Sequence, residues 1–258
     1  LAKHQIKLLE RDELAVLGQP SEGPEAKSGI LFRLQQDLPR ILDSHRSDLV
    51  RQNDLLRHYN HQKIELEQEI HNLKNRKLTY PANTNKLKAA IEQEFLNRGI
   101  HSEPRILSDL LEITDPAWQN PVEGYLHTQR FYIIVEPQYY QISLDVYNRI
   151  KKDVHTVGLV NTNRDQFREP IEPRQDSLAY VVTSDNRWAL AYVHYLLDRV
   201  VRCTSVDHLK DHKVAITADC MLYQNHAVRK IDDAVYRTPF IGAHAYEVQL
   251  SERLATLA

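Results

Sequence analysis

The pattern of hydrophobic and polar positions changes character near Tyr80. Between Leu49 and Lys77, bulky residues recur at intervals of three and four, with some polar members. This is the heptad spacing of a coiled-coil arm. A single helix from Leu31 to Leu78 would be about 70 Å long at 1.5 Å per residue, which is too long for a compact domain of this size. Pro39 should kink this helix or mark its real start.

Two further segments extend the helical pattern. The sequence predicts a shorter amphipathic helix over residues 1–17 and a break in helical order over the glycine- and proline-containing stretch 18–29. This break is either a natural interruption of the arm or a linker between two coil segments. A helical pattern returns from Ala243 onward. The sequence therefore predicts an arm over 1–79, a globular domain over 80–242 and a returning helix over 243–258.

The globular domain alternates between helical and extended patterns. Asn83 or Thr84 is predicted to cap a first helix that Gly99 ends, and Asp115 caps a second that begins with proline. Further helices are predicted over 137–150, 188–197 and 206–210, and strands over 131–135, 157–160, 214–217 and 221–228, with another that begins at 200–201. Residues 178–182 form a further apolar segment. The fold class is therefore α+β, with two α/β subdomains at about 80–161 and 176–242.

Composition supports this division and excludes some classes. Only two of the 20 aromatic residues, Phe32 and Tyr59, precede Tyr80, and a globular core needs aromatic residues more than a helical seam does. The net charge of −2 gives no overall attraction to nucleic acid. The chain has no apolar run that could cross a bilayer and no signal peptide. We therefore expect reduced cysteines and a cytoplasmic location. Because the chain starts at a leucine and ends within a helical pattern at Ala258, we also expect that it is cut from a longer protein.

Several stretches of the globular part resemble one family. They are similar to the hinge domains of MukB-like SMC proteins, in particular the SMC subunit of Wadjet-type plasmid-defence systems. The stretches are ITDPAWQNPVEGYL (113–126), QRFYIIVEPQYY (129–140), SLAYVVTSDNRWALAYVHYLLDRVVRC (177–203), MLYQNHAVRKID (221–232) and YRTPFIGAHAYEVQL (236–250).

The resemblance implies an architecture and a role. The chain would be an SMC-hinge-like domain flanked by long antiparallel coiled-coil helices, and it would join two copies of an ATPase that embraces or extrudes DNA. Other subunits would bind the ATPase head, which this chain lacks, and the complex would be associated with plasmid or nucleoid. A chromosome-partition condensin of the MukB type is an alternative parent.

Strand edges are the expected meeting place of two copies. One candidate comprises Val157, Gly158, Leu159, Val160 and Asn161, because a glycine within a strand often marks close approach of another backbone. The other comprises Tyr223, Gln224, Asn225, His226, Ala227 and Val228. The second candidate departs from the glycine-rich interface strand of the family, since none of its residues is glycine.

No catalytic or cofactor-binding motif is present. The chain has no G-x-x-x-x-G-K-[ST] phosphate loop and no nucleophile motif. Cys203, His208, His212 and Cys220 fit no compact zinc module, and His58 and His61 fit solvent-facing arm positions better than a metal site. Asp165, Glu169, Glu172 and Asp176 are interleaved with arginines, which favours a charged surface loop over a nuclease centre. We expect no catalytic residue, cofactor or metal.

Weak contact with DNA phosphates is an open possibility, because basic residues could form a patch without sequence preference. The candidates are Arg149, Lys151, Lys152, Arg199, Arg202, Arg229 and Lys230. Two other classes stay open. One is a DNA-processing enzyme that uses its coil as a spacer, and the other is a coiled-coil adaptor for a protein partner.

Overall fold

The computed structural model describes residues 17–18, 23–165 and 172–257. The chain divides into two compact units, Leu1–Glu65 and Leu66–Ala258. The predicted N-terminal helix lies outside the described residues except for Leu17, and so do residues 19–22 of the break that follows it.

The helices and strands alternate along the second unit, after one long helix that begins in the first. The helices are α1 (Pro24–Lys74), α2 (Ala82–Asn97), α3 (Gln119–Leu126), α4 (Tyr140–Ile150), α5 (Arg187–Leu197), α6 (Asp233–Tyr236) and α7 (Gly242–Leu257). The strands are β1 (Arg105–Ile106), β2 (Glu112–Ile113), β3 (Ile133–Ile134), β4 (Val182–Thr183), β5 (Val201–Cys203), β6 (Val214–Thr217), β7 (Met221–Gln224) and β8 (Ala227–Lys230). Short 3-10 helices cover Leu107–Leu110, Pro116–Trp118, His127–Phe131, Pro137–Tyr139, Leu178–Val181 and Val206–Asp211. The mixture of helices and small sheets confirms the α+β class.

The first unit contains most of α1. This helix begins at Pro24 and contains Pro39, so residues 24–29 are helical, contrary to the predicted break, and Pro39 is not its start. A proline fits the first helical turn because its missing N–H would have no helical acceptor there. Heptad residues such as Leu49, Leu56 and Tyr59 are exposed in this unit. The helix is confirmed, and its coiled-coil partner stays a prediction.

Within the second unit, α7 runs antiparallel to the last turns of α1. Tyr246, in the first half of α7, lines a cleft together with Arg76 and Tyr80. Arg253, two turns later, pairs with Glu69 at 2.7 Å. Later residues of α7 thus meet earlier residues of α1. The predicted return of the chain as a helix after residue 242 is confirmed.

Two of the predicted helix signals have different outcomes. Asp115 caps its helix as expected, accepting from the Ala117 N–H at 3.0 Å. The predicted cap at Asn83 or Thr84 is wrong, because α2 begins at Ala82 after Pro81. The Asn83 side chain instead donates to the carbonyl of His155. Gly99 follows the end of α2 with φ +65°, a conformation that glycine adopts without strain.

Three small sheets organise the globular part. β1 pairs with β3, and β2 pairs with β4, both antiparallel. The third sheet has the order β5-β6-β7-β8, in which β5 and β6 are parallel and the other pairs antiparallel. The predicted strand 131–135 is shortened to Ile133–Ile134, because a 3-10 helix occupies residues 127–131.

The two predicted subdomains share one core. The largest buried cluster combines residues of the first half, such as Trp118 and Val122, with residues of the second, such as Leu178 and Ile216. The pairing of β2 with β4 also joins the two halves. A second cluster around Leu87, Ile91 and Phe95 lies within the first half and is joined by Phe240.

Candidate dimerisation interface

The edge strand β8 is the most exposed strand of the four-stranded sheet. Each of its four residues is exposed, and Val228 keeps 49% of its surface accessible. One side of β8 pairs with β7, and β8 is the last strand in the order of its sheet. The unpaired side of such a strand is a template for a strand of another chain.

A two-residue turn creates this edge. Asn225 and His226 have φ values of 53° and 61°, and the flanking residues Gln224 and Ala227 are paired. Positive φ at both central positions is typical of the type I′ turn, whose twist matches that of a hairpin. The segment 223–228, predicted as one interface strand, is therefore the end of β7, a turn and the start of β8.

The hairpin register determines which backbone groups face outward. Residues flanking a two-residue turn exchange both hydrogen bonds, and the pattern then alternates along the ladder. Gln224 and Ala227 flank the turn, so the backbone groups of Ala227 and Arg229 face β7. Those of Val228 and Lys230 face the open edge. The candidate edge thus extends two residues beyond the predicted one.

Charges accompany the C-terminal half of β8. Lys230 Nζ lies 2.9 Å from the Asp233 carboxylate, and this hydrogen bond raises the pKa of Lys230. The pKa of Asp233 is lowered by hydrogen bonds from the Tyr236 hydroxyl and from Lys230. Lys230 is therefore already paired within its own chain, whereas the Arg229 side chain is exposed.

The other predicted edge, 157–161, forms one bridge and no strand. Leu159 pairs in parallel with Ile133, through the N–H of Ile133 to Gly158 and the N–H of Val160 to Ile133. Thr156 has φ 61°, and a turn follows at Thr162, so the extended stretch is short. In this parallel pattern the backbone N–H and C=O of Leu159 face away from β3.

Gly158 is closely approached by a side chain of its own chain. A Cβ at this position would lie 2.8 Å from the ring of Tyr132. The group that approaches Gly158 closely is therefore an aromatic side chain of the same chain, whereas we expected the backbone of another copy. The glycine alone no longer argues for an interface at this segment.

The basic candidates for DNA contact lie on separate elements. Arg149, Lys151 and Lys152 lie at the end of α4, Arg199 and Arg202 around the start of β5, and Arg229 and Lys230 on β8. Several are already engaged. Arg149 pairs with Glu94 at 2.6 Å, Lys151 donates to Asn148, and the Arg202 guanidinium lies over the rings of Trp118 and Tyr180. Lys152, Arg199 and Arg229 are the exposed candidates without such a contact among those described.

The metal-site candidates are dispersed. Cys203 and Cys220 are buried in different clusters, and burial raises the pKa of both thiols, that of Cys220 to about 11. His208 pairs with Asp211 on an exposed 3-10 helix. Asp176 lies 3.8 Å from Arg174, whereas Glu169 falls outside the described residues. Among the described residues, no group of three or more histidine, cysteine or carboxylate side chains could hold a metal ion.

A buried ion pair was missed by the sequence interpretation. Glu123 on α3 is fully buried and lies 2.6 Å from Arg130. Burial raises the pKa of this carboxyl, and Arg130 opposes that shift. A single carboxylate between Val122 and Gly124, on the apolar face of a short helix, was the available signal.

Comparison with known proteins gives similarity at the level of structure alone. No protein-family model matches the sequence, and no curated protein matches it. The hinge domain of the Pyrococcus furiosus SMC protein has 15% identity and a TM-score of 0.40 over 58% of this chain and 90% of its own. An asymmetric dimer of the Geobacillus stearothermophilus SMC hinge domain has 11% identity and a TM-score of 0.44, over 80% and 88%. The Pyrococcus furiosus hinge domain with an extended coiled coil has 15% identity and a TM-score of 0.41, over 77% of this chain and 84% of its own.

Each of these TM-scores is below 0.5, so the functional proposal rests on the contacts and the sequence of this chain. In the described part of the chain, no helix combines the length and the apolar character that crossing a membrane requires.

Proposed function

We propose that this chain is the homodimerisation hinge of an SMC-type protein, without catalytic activity of its own. The observation that supports this most directly is the outer edge of β8, with which no other described strand pairs. This edge belongs to a globular unit that one helix enters and that another helix leaves in the antiparallel direction. In this proposal β8 of each copy pairs with segment 157–161 of its mate. The outward backbone groups of Val228 and Lys230 would bond those of Leu159, which face away from β3.

This arrangement gives two equivalent junctions related by a two-fold axis. Strand addition supplies main-chain hydrogen bonds, and the side chains on either face supply specificity. Val228 lies on the same face of the sheet as Tyr223, its cross-strand neighbour. A partner strand would therefore cover an apolar side chain that is half exposed in the single chain.

We further propose that the parent complex is a Wadjet-type plasmid-defence system, in which the hinge joins two ATPase subunits that act on DNA. This finer assignment is supported by the five sequence stretches given above. A MukB-type condensin is the alternative parent. Plasmid loss in cells that carry the complete system, abolished by a monomeric hinge variant, would favour the defence role.

Sedimentation of the whole chain tests the dimerisation proposal, and two matched lysine variants locate the contact. Ala227→Lys adds charge and bulk at the β8 edge, whereas Leu56→Lys adds the same group to an exposed position of α1. We expect wild type and Leu56→Lys to be dimers and Ala227→Lys to be a monomer. A monomeric wild type at micromolar concentration would contradict the proposal. Dissociation by Leu56→Lys alone would assign association to the arm and favour the adaptor function.

A further inference from the structure

The buried pair of Glu123 and Arg130 lies where the chain leaves the globular unit. The Glu123 side chain is completely inaccessible and that of Arg130 is 7% accessible. Glu123 belongs to α3, and Arg130 to the 3-10 helix directly after it. A buried ion pair adds little net stability compared with apolar residues of the same volume. Its presence therefore calls for an explanation beyond the strength of the core.

Glu123 holds the segment immediately before α7. Its Oε1 accepts from the backbone N–H groups of Phe240 at 2.6 Å and Ile241 at 2.7 Å. The Gln119 amide, one helical turn earlier, donates both to Glu123 Oε1 and to the carbonyl of Ile241. Since α7 begins at Gly242, these bonds fix the two residues from which the returning helix starts.

Arg130 extends the contact to both ends of the globular chain. Its second terminal nitrogen donates to the carbonyl of Val235 at 2.6 Å. Its guanidinium lies over the rings of Phe131 and Phe240. The centroid of the Phe240 ring lies 5.8 Å from that of Tyr80, which belongs to the segment by which the chain enters the globular unit after α1. The Arg130 guanidinium therefore lies beside the aromatic rings through which the entry and exit segments contact each other.

The two residues held by Glu123 belong to different cores. Ile241 is buried in the large shared cluster, whereas Phe240 packs against the cluster of the first half. A small rotation of this segment would move one side chain out of each cluster. The Glu123 carboxylate therefore fixes the orientation of the Phe240–Ile241 segment, which neither cluster would fix alone.

We propose that Glu123 is a positioning residue that locks the direction in which α7 leaves the globular unit and so keeps α7 aligned with the end of α1. The lock consists of Glu123, Arg130 and Gln119 acting on residues 235–241. Without it, α7 changes direction relative to α2 while the core sheets stay folded. This inference is independent of dimerisation, since each contact lies within one chain.

Distance measurement between two spin labels tests the lock in the whole chain. Ala89→Cys on α2 and Ala255→Cys on α7 are exposed sites in the second unit, whereas Cys203 and Cys220 are buried. Dilution with unlabelled chain leaves only distances within one copy. Glu123→Gln keeps the shape but removes the charge, and Gln119→Ala is a milder second variant. Glu112→Gln is the matched control, because Glu112 accepts from the Ala243 N–H at an exposed position.

We expect a narrow distance distribution in the wild type and in Glu112→Gln, and a broadened or shifted one in Glu123→Gln and Gln119→Ala. Hydrogen exchange in α7 should accelerate about tenfold or more in Glu123→Gln, while exchange in β6 stays unchanged, as expected for a local opening. An unchanged distribution in both variants would overturn the proposal. Equal acceleration in α7 and β6 would also overturn it, because the pair would then be a general part of the core.

Discussion

Replacing Val228 with proline tests strand pairing at β8 without removing a bond of the hairpin. The Val228 N–H faces the open edge, because Ala227 and Arg229 make the bonds to β7. Proline lacks this N–H and is tolerated on edge strands for that reason. The substitution should therefore block a partner strand while β7 and β8 remain paired.

The size of the effect follows from two equivalent junctions. Each dimer loses one backbone hydrogen bond per junction, and a bond of this kind has a net value of about 0.5–1.5 kcal/mol. Two junctions together give about 1–3 kcal/mol, and each 1.4 kcal/mol changes the dissociation constant about tenfold. We expect the dissociation constant to rise roughly 5- to 140-fold. The proline ring next to the partner strand acts in the same direction.

The isolated chain should be little affected. The substitution weakens the cross-strand contact between Val228 and Tyr223, a pair interaction of about 0.2–1 kcal/mol. Val228→Thr is the matched control, since threonine is β-branched and keeps its N–H. Sedimentation equilibrium over a concentration series gives the dissociation constants, and thermal melting at low concentration reports on the fold. A proline variant with native melting and an unchanged dissociation constant would refute pairing through β8.

Three further predictions concern other parts of the chain. Gly158→Ala should lower the free energy of unfolding by about 1–3 kcal/mol, because the added Cβ would clash with the Tyr132 ring. Denaturant unfolding should show that adding Tyr132→Leu restores part of this free energy. No recovery would contradict the contact. If the exposed basic residues bind DNA, fluorescence anisotropy should show weak binding without sequence preference, with an affinity that falls steeply between about 50 and 200 mM salt. Arg229→Gln should reduce the dependence of the affinity on salt concentration. Preference for one sequence over its scramble would contradict binding through phosphates alone. Both thiols should resist alkylation at pH 8 in the native state, because burial raises their pKa values and keeps them protonated there; mass spectrometry should find them modified only in denaturant, and rapid native labelling of Cys220 would show that it is accessible.

Local signals in the sequence predicted those elements in which pattern and burial agree. Strand β6 coincides with the predicted 214–217, and α5 with the predicted 188–197 to within one residue. The turn of the hairpin could not be located from the sequence, because polar and apolar residues continue to alternate through β7, the turn and β8. Asn225-His226 also lacks the glycine that usually indicates a type I′ turn. Two non-glycine residues with positive φ are specified here by the pairing of their neighbours.

Long-range contacts could not be predicted in the same way. Glu123 is 117 residues from Phe240 in sequence, and no periodicity connects a helix residue with a loop so distant. The shared core could not be predicted for the same reason, since β2 and β4 come from the two predicted subdomains of the globular part. The sequence therefore indicated the two ends of the globular unit, but only the fold shows that hydrogen bonds and ring contacts connect them.

The charges of β8 bear on which strand it would receive from a partner. In a symmetric pairing of β8 with β8 of the second copy, Arg229 and Lys230 of one strand would lie next to the same two basic residues of the other strand. Like charges opposite each other destabilise a sheet. Segment 157–161 carries no charged side chain. Charged edge strands commonly prevent unspecific pairing between sheets. The same charges would thus disfavour the symmetric contact and leave a neutral strand as the better partner, which supports two equivalent junctions between unlike strands.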